Sequence, residues 1–353
     1  MKREELVNSR WSIERAEAYM KRFGVIKGVN FIPSYCHSYI EMWHHFNETR
    51  ICQELEYAKQ AGFNSLRIFV AQCQWETRRE LVISRLNRFL EICQRMGFSI
   101  MLTLQPNTCM IPGWTLEEDE DPFIINFRPG VHDGGWTYKG ARIFDCTGQW
   151  EENREEVARF ISEIVAQYGQ DERVSFWDLY NEPWEANRPL VEMAFGLARM
   201  QNPIQPLTCC WRAWDLSDIT SFHCYEKPGT PPRKQIMGVH YLSFEDEIAR
   251  AKATGRPILC TECVARTFGN ELDAFLPYYS KAHIGFYVWG LCAGSAQYHI
   301  PWEWPVGSPV PARWFQCMLY PDGEPFDKNE MTLIREFDFE NETDTSEPVS
   351  GIH

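Results

Sequence analysis

The sequence predicts an α/β protein folded as a single-domain (β/α)8 TIM barrel, with enlarged βα loops after strands 3, 6 and 8. Three observations predict it. Short apolar runs rich in β-branched and aromatic residues alternate with amphipathic stretches, the pattern of a parallel sheet crossed by helices. Eight such runs can be marked, the number that closes a barrel. The chain has 353 residues, and a barrel of about 250 residues folds as one unit.

The runs, in order, are VIKGVNF (25–31), SLRIFV (65–70), FSIMLTL (98–104), VSFWDLYN (174–181), LTCCW (207–211), ITSFHCY (219–225), PILCTE (257–262) and IGFYVWG (284–290). A helix is expected at about 12–22, before the first strand. Between strands, 79–96 carries an apolar stripe at Val82, Leu86, Phe89, Leu90, Cys93 and Met96. A second stripe in 150–168 falls at Val157, Phe160, Ile161, Ile164, Val165 and Tyr168, again the 3.6-residue period of a helix face. Weaker stripes run through 48–61, 243–254 and 269–282. Gly62, Gly97, Gly169 and Gly255 each follow a helix, where a glycine adopts positive φ without strain. A doubly wound open sheet is the structural rival, but no glycine-rich phosphate loop follows the first strand. One irregularity stands out: the WDLSD connection before the sixth strand is too short for a crossover helix. The barrel is expected over 1–340, with 341–353 (NETDTSEPVSGIH) a disordered tail.

Three loops are long: 106–149 after strand 3, 226–241 after strand 6 and 291–327 after strand 8. All lie at C-terminal strand ends, the face where barrel enzymes build their sites. The net charge of −14 disfavours nucleic acid or an anionic membrane as partner, since nothing would neutralise phosphates. A neutral ligand is compatible with it. No run is long and apolar enough to span a bilayer, and residues 1–22 lack the apolar segment of a secretory leader. The 13 cysteines are odd in number and scattered through strands and helices, which reads as free thiols in a reducing compartment. The expected address is cytoplasmic, or secreted or periplasmic if a leader has been removed.

Two strands end on a glutamate. Glu182 follows Asn181 and precedes Pro183, which is expected to hold it extended and stop the ladder. Strict alternation would put Asn181 and Glu182 on opposite faces, so both reach one site only if the strand bulges or twists. Glu262 closes PILCTE. Eighty residues separate the two, close to the three βα units, about 90 residues, that would set them across one barrel mouth. Facing carboxylates are what glycosidic cleavage needs, one protonated and one ionised. Arg67 lies inside SLRIFV and needs an anion, for which Glu262 would serve. His223 and Tyr225 are two apart in SFHCY and share a face; the tyrosine hydroxyl could bond the nucleophile. Trp289 ends strand 8, and an indole at a mouth can stack on a sugar ring. Fourteen tryptophans are a high share, and Trp43, Trp136 and Trp184 are candidates to line sugar subsites. Each residue also has a plain alternative: a salt-bridged loop glutamate, or core side chains with satisfied polar tips.

Together these residues resemble the clan A retaining glycoside hydrolases, and within them family 5-like enzymes of the cellulase, mannanase and xylanase type. The resemblance covers about residues 25–290. It rests on Asn181-Glu182-Pro183 at strand 4, Glu262 at strand 7, Arg67 on strand 2, His223 and Tyr225 on strand 6, and Trp289 on strand 8. It implies Glu182 as acid/base, Glu262 as nucleophile, a covalent glycosyl–enzyme intermediate, net retention, and no metal or other cofactor. The implied partner is a β-linked oligosaccharide or glycan. Two departures are visible: the fifth helix is nearly absent, and Thr261 stands where such enzymes often have glycine. Two rivals remain. A metal-dependent barrel such as a sugar isomerase could draw ligands from His223, His240, Glu262 and Asp215. A non-catalytic carbohydrate-binding barrel is the other. Cys260-Thr-Glu-Cys263 has CxxC spacing but spans a strand end, which favours buried thiols over a redox or zinc site.

Overall fold

The computed structural model describes residues 2–106, 108–110, 129–132, 143–145, 151–183, 185–210, 213–232 and 242–340. Eight parallel strands form one sheet: β1 (Lys27–Asn30), β2 (Ser65–Ala71), β3 (Ser99–Gln105), β4 (Phe176–Asp178), β5 (Leu207–Thr208), β6 (Thr220–His223), β7 (Ile258–Cys263) and β8 (Ile284–Trp289). Their order is β5-β4-β3-β2-β1-β8-β7-β6. Pairing of β1 with both β2 and β8 curls the sheet until β5 and β6 meet. The fold is a (β/α)8 barrel with a single seam.

The seam follows from the missing fifth helix. Turns, not a helix, fill Ala213–Leu216, so β5 is two residues long and makes no ladder with β6. Side chains do the joining. Thr208 Oγ1 lies 2.8 Å from the Ile219 carbonyl and 2.8 Å from Ser221 Oγ. Asp218 accepts from the Leu207 N–H at 2.8 Å and returns its own N–H to the Leu207 carbonyl at 2.8 Å. These bonds satisfy backbone groups that a strand pair would otherwise have satisfied.

Ten α-helices are described: α1 (Arg3–Asn8), α2 (Ile13–Met20), α3 (Tyr39–His44), α4 (Glu48–Ala61), α5 (Gln72–Met96), α6 (Arg154–Tyr168), α7 (Arg188–Met200), α8 (Phe244–Lys252), α9 (Leu272–Ala282) and α10 (Lys328–Glu336). The stripe expected over 79–96 is the longer, C-terminal part of α5, which breaks its helical geometry at Arg78 (φ −142°). Ser12 caps α2 by accepting from the Arg15 N–H. That helix and the turn Lys21–Phe23 plug the bottom of the barrel. Tyr19 and Phe23 place their rings 6.3 and 4.9 Å from Phe176. Above them Met101, Phe176, Leu259 and Tyr287 fill the floor, all buried.

Gly28 is part of this floor. A Cβ there would sit 2.2 Å from the Tyr287 ring, so only glycine lets β1 pass it. Gly62, Gly97 and Gly255 take positive φ after their helices, but Gly169 does not. Its φ is −67°, and crowding explains its identity: a Cβ would lie 2.5 Å from the Val165 carbonyl. Eleven cysteines have described side chains; all eleven are free thiols, and all but Cys52 are buried. No helix among them is long and apolar enough to cross a membrane. The expected tail 341–353 and most of the loops after β3 and β6 lie outside the described residues.

Candidate active site

Above the floor, the side chains that face the barrel axis become polar. Arg67 stands at the centre, fully buried. All five of its N–H groups find acceptors, which is what makes a buried guanidinium tolerable. Nη1 donates to Glu262 Oε1 at 2.7 Å and to Asn30 Oδ1 at 2.8 Å. Nη2 donates to Asp178 Oδ2 at 2.7 Å and to Asn181 Oδ1 at 2.6 Å. Nε donates to Asp178 Oδ2 at 3.2 Å. The ring of Phe69 lies under the guanidinium, 4.7 Å from its carbon.

Glu262 reaches this cluster because β7 is irregular. Phe222 and His223 of β6 pair with Cys260 and Glu262, skipping Thr261, and β8 skips along β7 in the same place. The extra residue turns Glu262 to the barrel interior. Asn30 fixes the bulge, donating from Nδ2 to the Thr261 carbonyl at 2.9 Å and to the Val288 carbonyl at 3.2 Å. Two residues on, Val264 has φ +78°, an unfavourable conformation for a β-branched residue. Asn270 holds it by accepting the Val264 N–H at 2.8 Å.

Glu182 arrives differently. The strand expected over 174–181 ends at Asp178, and Glu182 is not extended: its φ is +49°. Left-handed backbone in a non-glycine residue before proline is strained, of order 1–3 kcal/mol. It also breaks the alternation that would have sent Asn181 and Glu182 to opposite faces. Asn181 bonds Arg67, and Glu182 Oε1 lies 2.8 Å from His223 Nδ1.

His223 Nδ1 is also 3.3 Å from Glu262 Oε2, so one imidazole nitrogen bridges the two carboxylates. The facing atoms of Glu182, His223 and Glu262 all lie within 4.8 Å of one another. Tyr225 completes the set, its hydroxyl donating to Glu262 Oε2 at 2.8 Å. Burial pushes Glu182 up to about 7 against the pull of Arg67, although its side chain is 42% exposed at the mouth. Glu262 is 5% exposed. Burial, and then the Glu182 charge, raise it; His223, Arg67 and the Tyr225 hydroxyl oppose them. Burial takes His223 down to about 4, so at neutral pH it is an uncharged hydrogen-bonding bridge.

Aromatic side chains wall this mouth. Trp289 is half-buried, edge-on to Phe69 and Tyr298 at 5.8 and 5.4 Å. Trp302, from the loop after β8, packs edge-on to Tyr225 at 5.2 Å and against Phe315 at 4.9 Å. Beyond it opens a cavity of about 560 Å³ lined by Val131, His132, Trp302, Glu303, Trp304, Pro305 and Val306.

The structure thus brings together Arg67, Asn181, Glu182, His223, Tyr225 and Glu262, with Trp289 beside them. Trp43 is not with them. It is fully buried on α3, its indole N–H donated to the Phe69 carbonyl at 2.6 Å. Trp136, Trp184 and His240 lie outside the described residues. Asp215 is remote from the cluster, held by Arg188 at 2.7 Å and by Arg3 at 3.2 Å. Glu182, His223 and Glu262 have the spacing of a metal trio. An ion between them would compete with Arg67 for Glu262 and displace the Nδ1 bridge, so hydrogen bonding already serves these groups. Sequence reasoning missed Asp178 and Asn30. Both carried a signal: an acid inside the apolar FWDLY, and an amide at the end of the first strand.

No protein-family model matches the sequence, and no curated protein does. Solved structures do match. Exo-β-1,4-mannosidase Op5Man5 from Opitutaceae bacterium strain TAV5 aligns with 88% of this chain at 17% identity and a TM-score of 0.57. The chain shares the fold of glycoside hydrolases. It spans 59% of the Op5Man5 chain. GH5_18 from Streptomyces cattleya, solved with GlcNAc, aligns with 89% of this chain and 79% of its own at 13% identity and TM-score 0.53. GH5_18 from Bifidobacterium longum subsp. infantis gives the same coverages, 14% identity and TM-score 0.54.

Proposed function

We propose that the protein is a retaining glycoside hydrolase that cleaves β-glycosidic bonds by double displacement. One observation carries the reading: Glu182 and Glu262 face each other across His223 Nδ1, their nearest oxygens within 4.8 Å. Such proximity suits attack by one carboxylate on the anomeric carbon and is well short of the roughly 6.5–9.5 Å at which an inverting pair holds its water.

The environments divide the roles. Glu262 receives an N–H bond from Arg67 and an O–H bond from Tyr225. These donors favour its anion, the form that attacks. Glu182 has no cation in direct contact, and burial carries it to about 7, so near neutral pH it can both give and take a proton. In the first step Glu262 bonds the anomeric carbon while Glu182 protonates the departing glycosidic oxygen. In the second, Glu182 takes a proton from water, which displaces Glu262. Two inversions give net retention. Arg67 and Tyr225 hold the nucleophile in place throughout, and Trp289 and Trp302 offer flat faces to sugar rings.

The substrate class follows by analogy. A neutral sugar suits the acidic chain, and similar structures bear the names of an exo-β-1,4-mannosidase and of GH5_18 proteins with GlcNAc or Manβ1-4GlcNAc. β-Mannosides and β-linked mannosyl-GlcNAc therefore head the screen, followed by other aryl β-glycosides and β-linked oligosaccharides. The deciding test is Glu262→Ala. Turnover should vanish and return with azide, giving the α-glycosyl azide, seen by NMR. Near-normal turnover by the variant would end the assignment.

A further inference from the structure

Asp178 is a charged side chain of the cluster for which the glycosidase reading has no task. It ends β4, four residues before Glu182, and is fully buried. It takes two of the five Arg67 bonds, through Nε and Nη2 onto the single oxygen Oδ2. Arg67 thus divides one positive charge between two carboxylates, Asp178 on one flank and Glu262 on the other. Asp178 Oδ1 has no partner among the described residues, and neither has the hydroxyl of Thr103, its register neighbour on β3. Leaving an anionic oxygen unbonded in the interior is costly. A purely structural role would be better met by asparagine, which keeps an acceptor for Arg67 and offers a donor on the open side. What asparagine lacks is the charge.

We propose that Asp178 is a positioning residue for the site's proton: as counter-charge to Arg67, it keeps that cation from stripping Glu182 of its hydrogen. The proposal rests on the reading of Glu182 as acid/base. The other groups that face Glu182 are His223 and Tyr225 at the end of β6, Glu262 on β7, and Cys210 beyond β5, whose Sγ lies 3.3 Å from the Glu182 N–H. Of these neighbours Arg67 is the fixed cation, and it pulls Glu182 down. Asp178 opposes Arg67 at His223 in the same way. Removing the Asp178 charge unmasks Arg67 and removes an anion, and both changes favour ionised Glu182.

The test is a carbon-13 NMR titration of the glutamate carboxyls in the intact protein, with Glu182→Gln assigning the signal. Asp178→Asn should lower the Glu182 midpoint by about one pH unit. Asn30→Asp applies the opposite perturbation. It places a second carboxylate on Arg67 Nη1, at the cost of the two Nδ2 bonds of Asn30, and should raise the midpoint. A midpoint unmoved by Asp178→Asn overturns the proposal. If that variant has no cooperative melting transition, Asn30→Asp decides alone, and an unmoved or lowered midpoint overturns it. The titration needs no substrate. A protein that hydrolyses no glycoside yet shows both shifts sinks the glycosidase reading and keeps only the electrostatic part of this one, Asp178 as the counter-charge that sets the Glu182 midpoint, whereas a working glycosidase whose Glu182 ignores both variants sinks this one alone.

Discussion

Glu182→Gln is the most discriminating change in the proposed mechanism. Glutamine has nearly the same shape and keeps an acceptor for His223 Nδ1, so the bridge of 2.8 Å and the strained backbone at 182 should survive. What disappears is the proton. The protonated form donates to the leaving group, and Glu182 titrates at about 7. In the wild type, kcat/KM should therefore be highest on the acid side of 7 and fall as pH rises through it. About a tenth of the molecules keep the proton one unit higher, and about a hundredth two units higher. The direction is set by burial, which raises the group; a lowered carboxyl would already be ionised at neutral pH and could not donate. In Glu182→Gln the alkaline limb should vanish. The rate should drop about 10²–10⁴-fold for alkyl and sugar leaving groups, the usual worth of general acid catalysis. It should change little for dinitrophenyl glycosides, whose leaving group needs no proton. The assay is kcat/KM from pH 4 to 10 across a set of leaving groups. An alkaline limb that persists in Glu182→Gln, or a loss equal for all leaving groups, would refute the assignment.

Two further variants probe the nucleophile's support and the barrel floor. Tyr225→Phe removes the 2.8 Å bond to Glu262 and leaves the ring packed on Trp302. A hydrogen bond to a charged group is worth about 1.5–3 kcal/mol, so kcat/KM should fall roughly 10- to 150-fold. The acid limb should move to higher pH, because loss of that donor makes Glu262 harder to ionise; a profile unchanged in both respects would count against the nucleophile. Gly28→Ala drives a methyl into the Tyr287 ring, 2.2 Å away. It should lower stability by about 1–3 kcal/mol, read as a lower Tm, and an unaltered melt would show that the floor yields freely.

The barrel was legible because its signals are local and repeated. Eight apolar runs and the stripes between them predict the eight strands of the barrel sheet, and WDLSD, read as too short for a crossover helix, is where β5 and β6 do not pair. How that gap is stitched was not legible, since Thr208, Asp218 and Ser221 are ordinary polar residues until the two strands are side by side. Within the site, the need of Arg67 for an anion could be read from an arginine inside SLRIFV. Its sharing between Glu262 and Asp178 could not, because which buried acids meet the guanidinium is decided by how β4 and β7 are set about β2 in the folded sheet. Trp43 shows the opposite failure. Being near a strand end suggested a sugar platform, whereas a backbone carbonyl at 2.6 Å claims its indole for the core.

The site residues that sequence alone placed least well are those where strand regularity fails, and the chemistry gives a reason. A regular strand sends adjacent side chains to opposite faces. The site needs Asn181 and Glu182 together at one mouth, and Glu262 turned inward one residue out of step. Neither can be had from an unbroken ladder. At β4 the chain leaves the sheet after Asp178 and takes Glu182 through φ +49°; at β7 it inserts Thr261 and then passes Val264 through φ +78°. Both departures are unfavourable by themselves, and both are fastened by side-chain amides and Arg67: Asn181 to the guanidinium, Asn30 to the bulge, Asn270 to Val264. Strain held in place by such bonds at two points, each beside a carboxylate, is what a fold under selection for stability alone would shed. Its presence on both sides of His223 fits the proposed mechanism, in which the distance between the two acids is what the strained backbone sets.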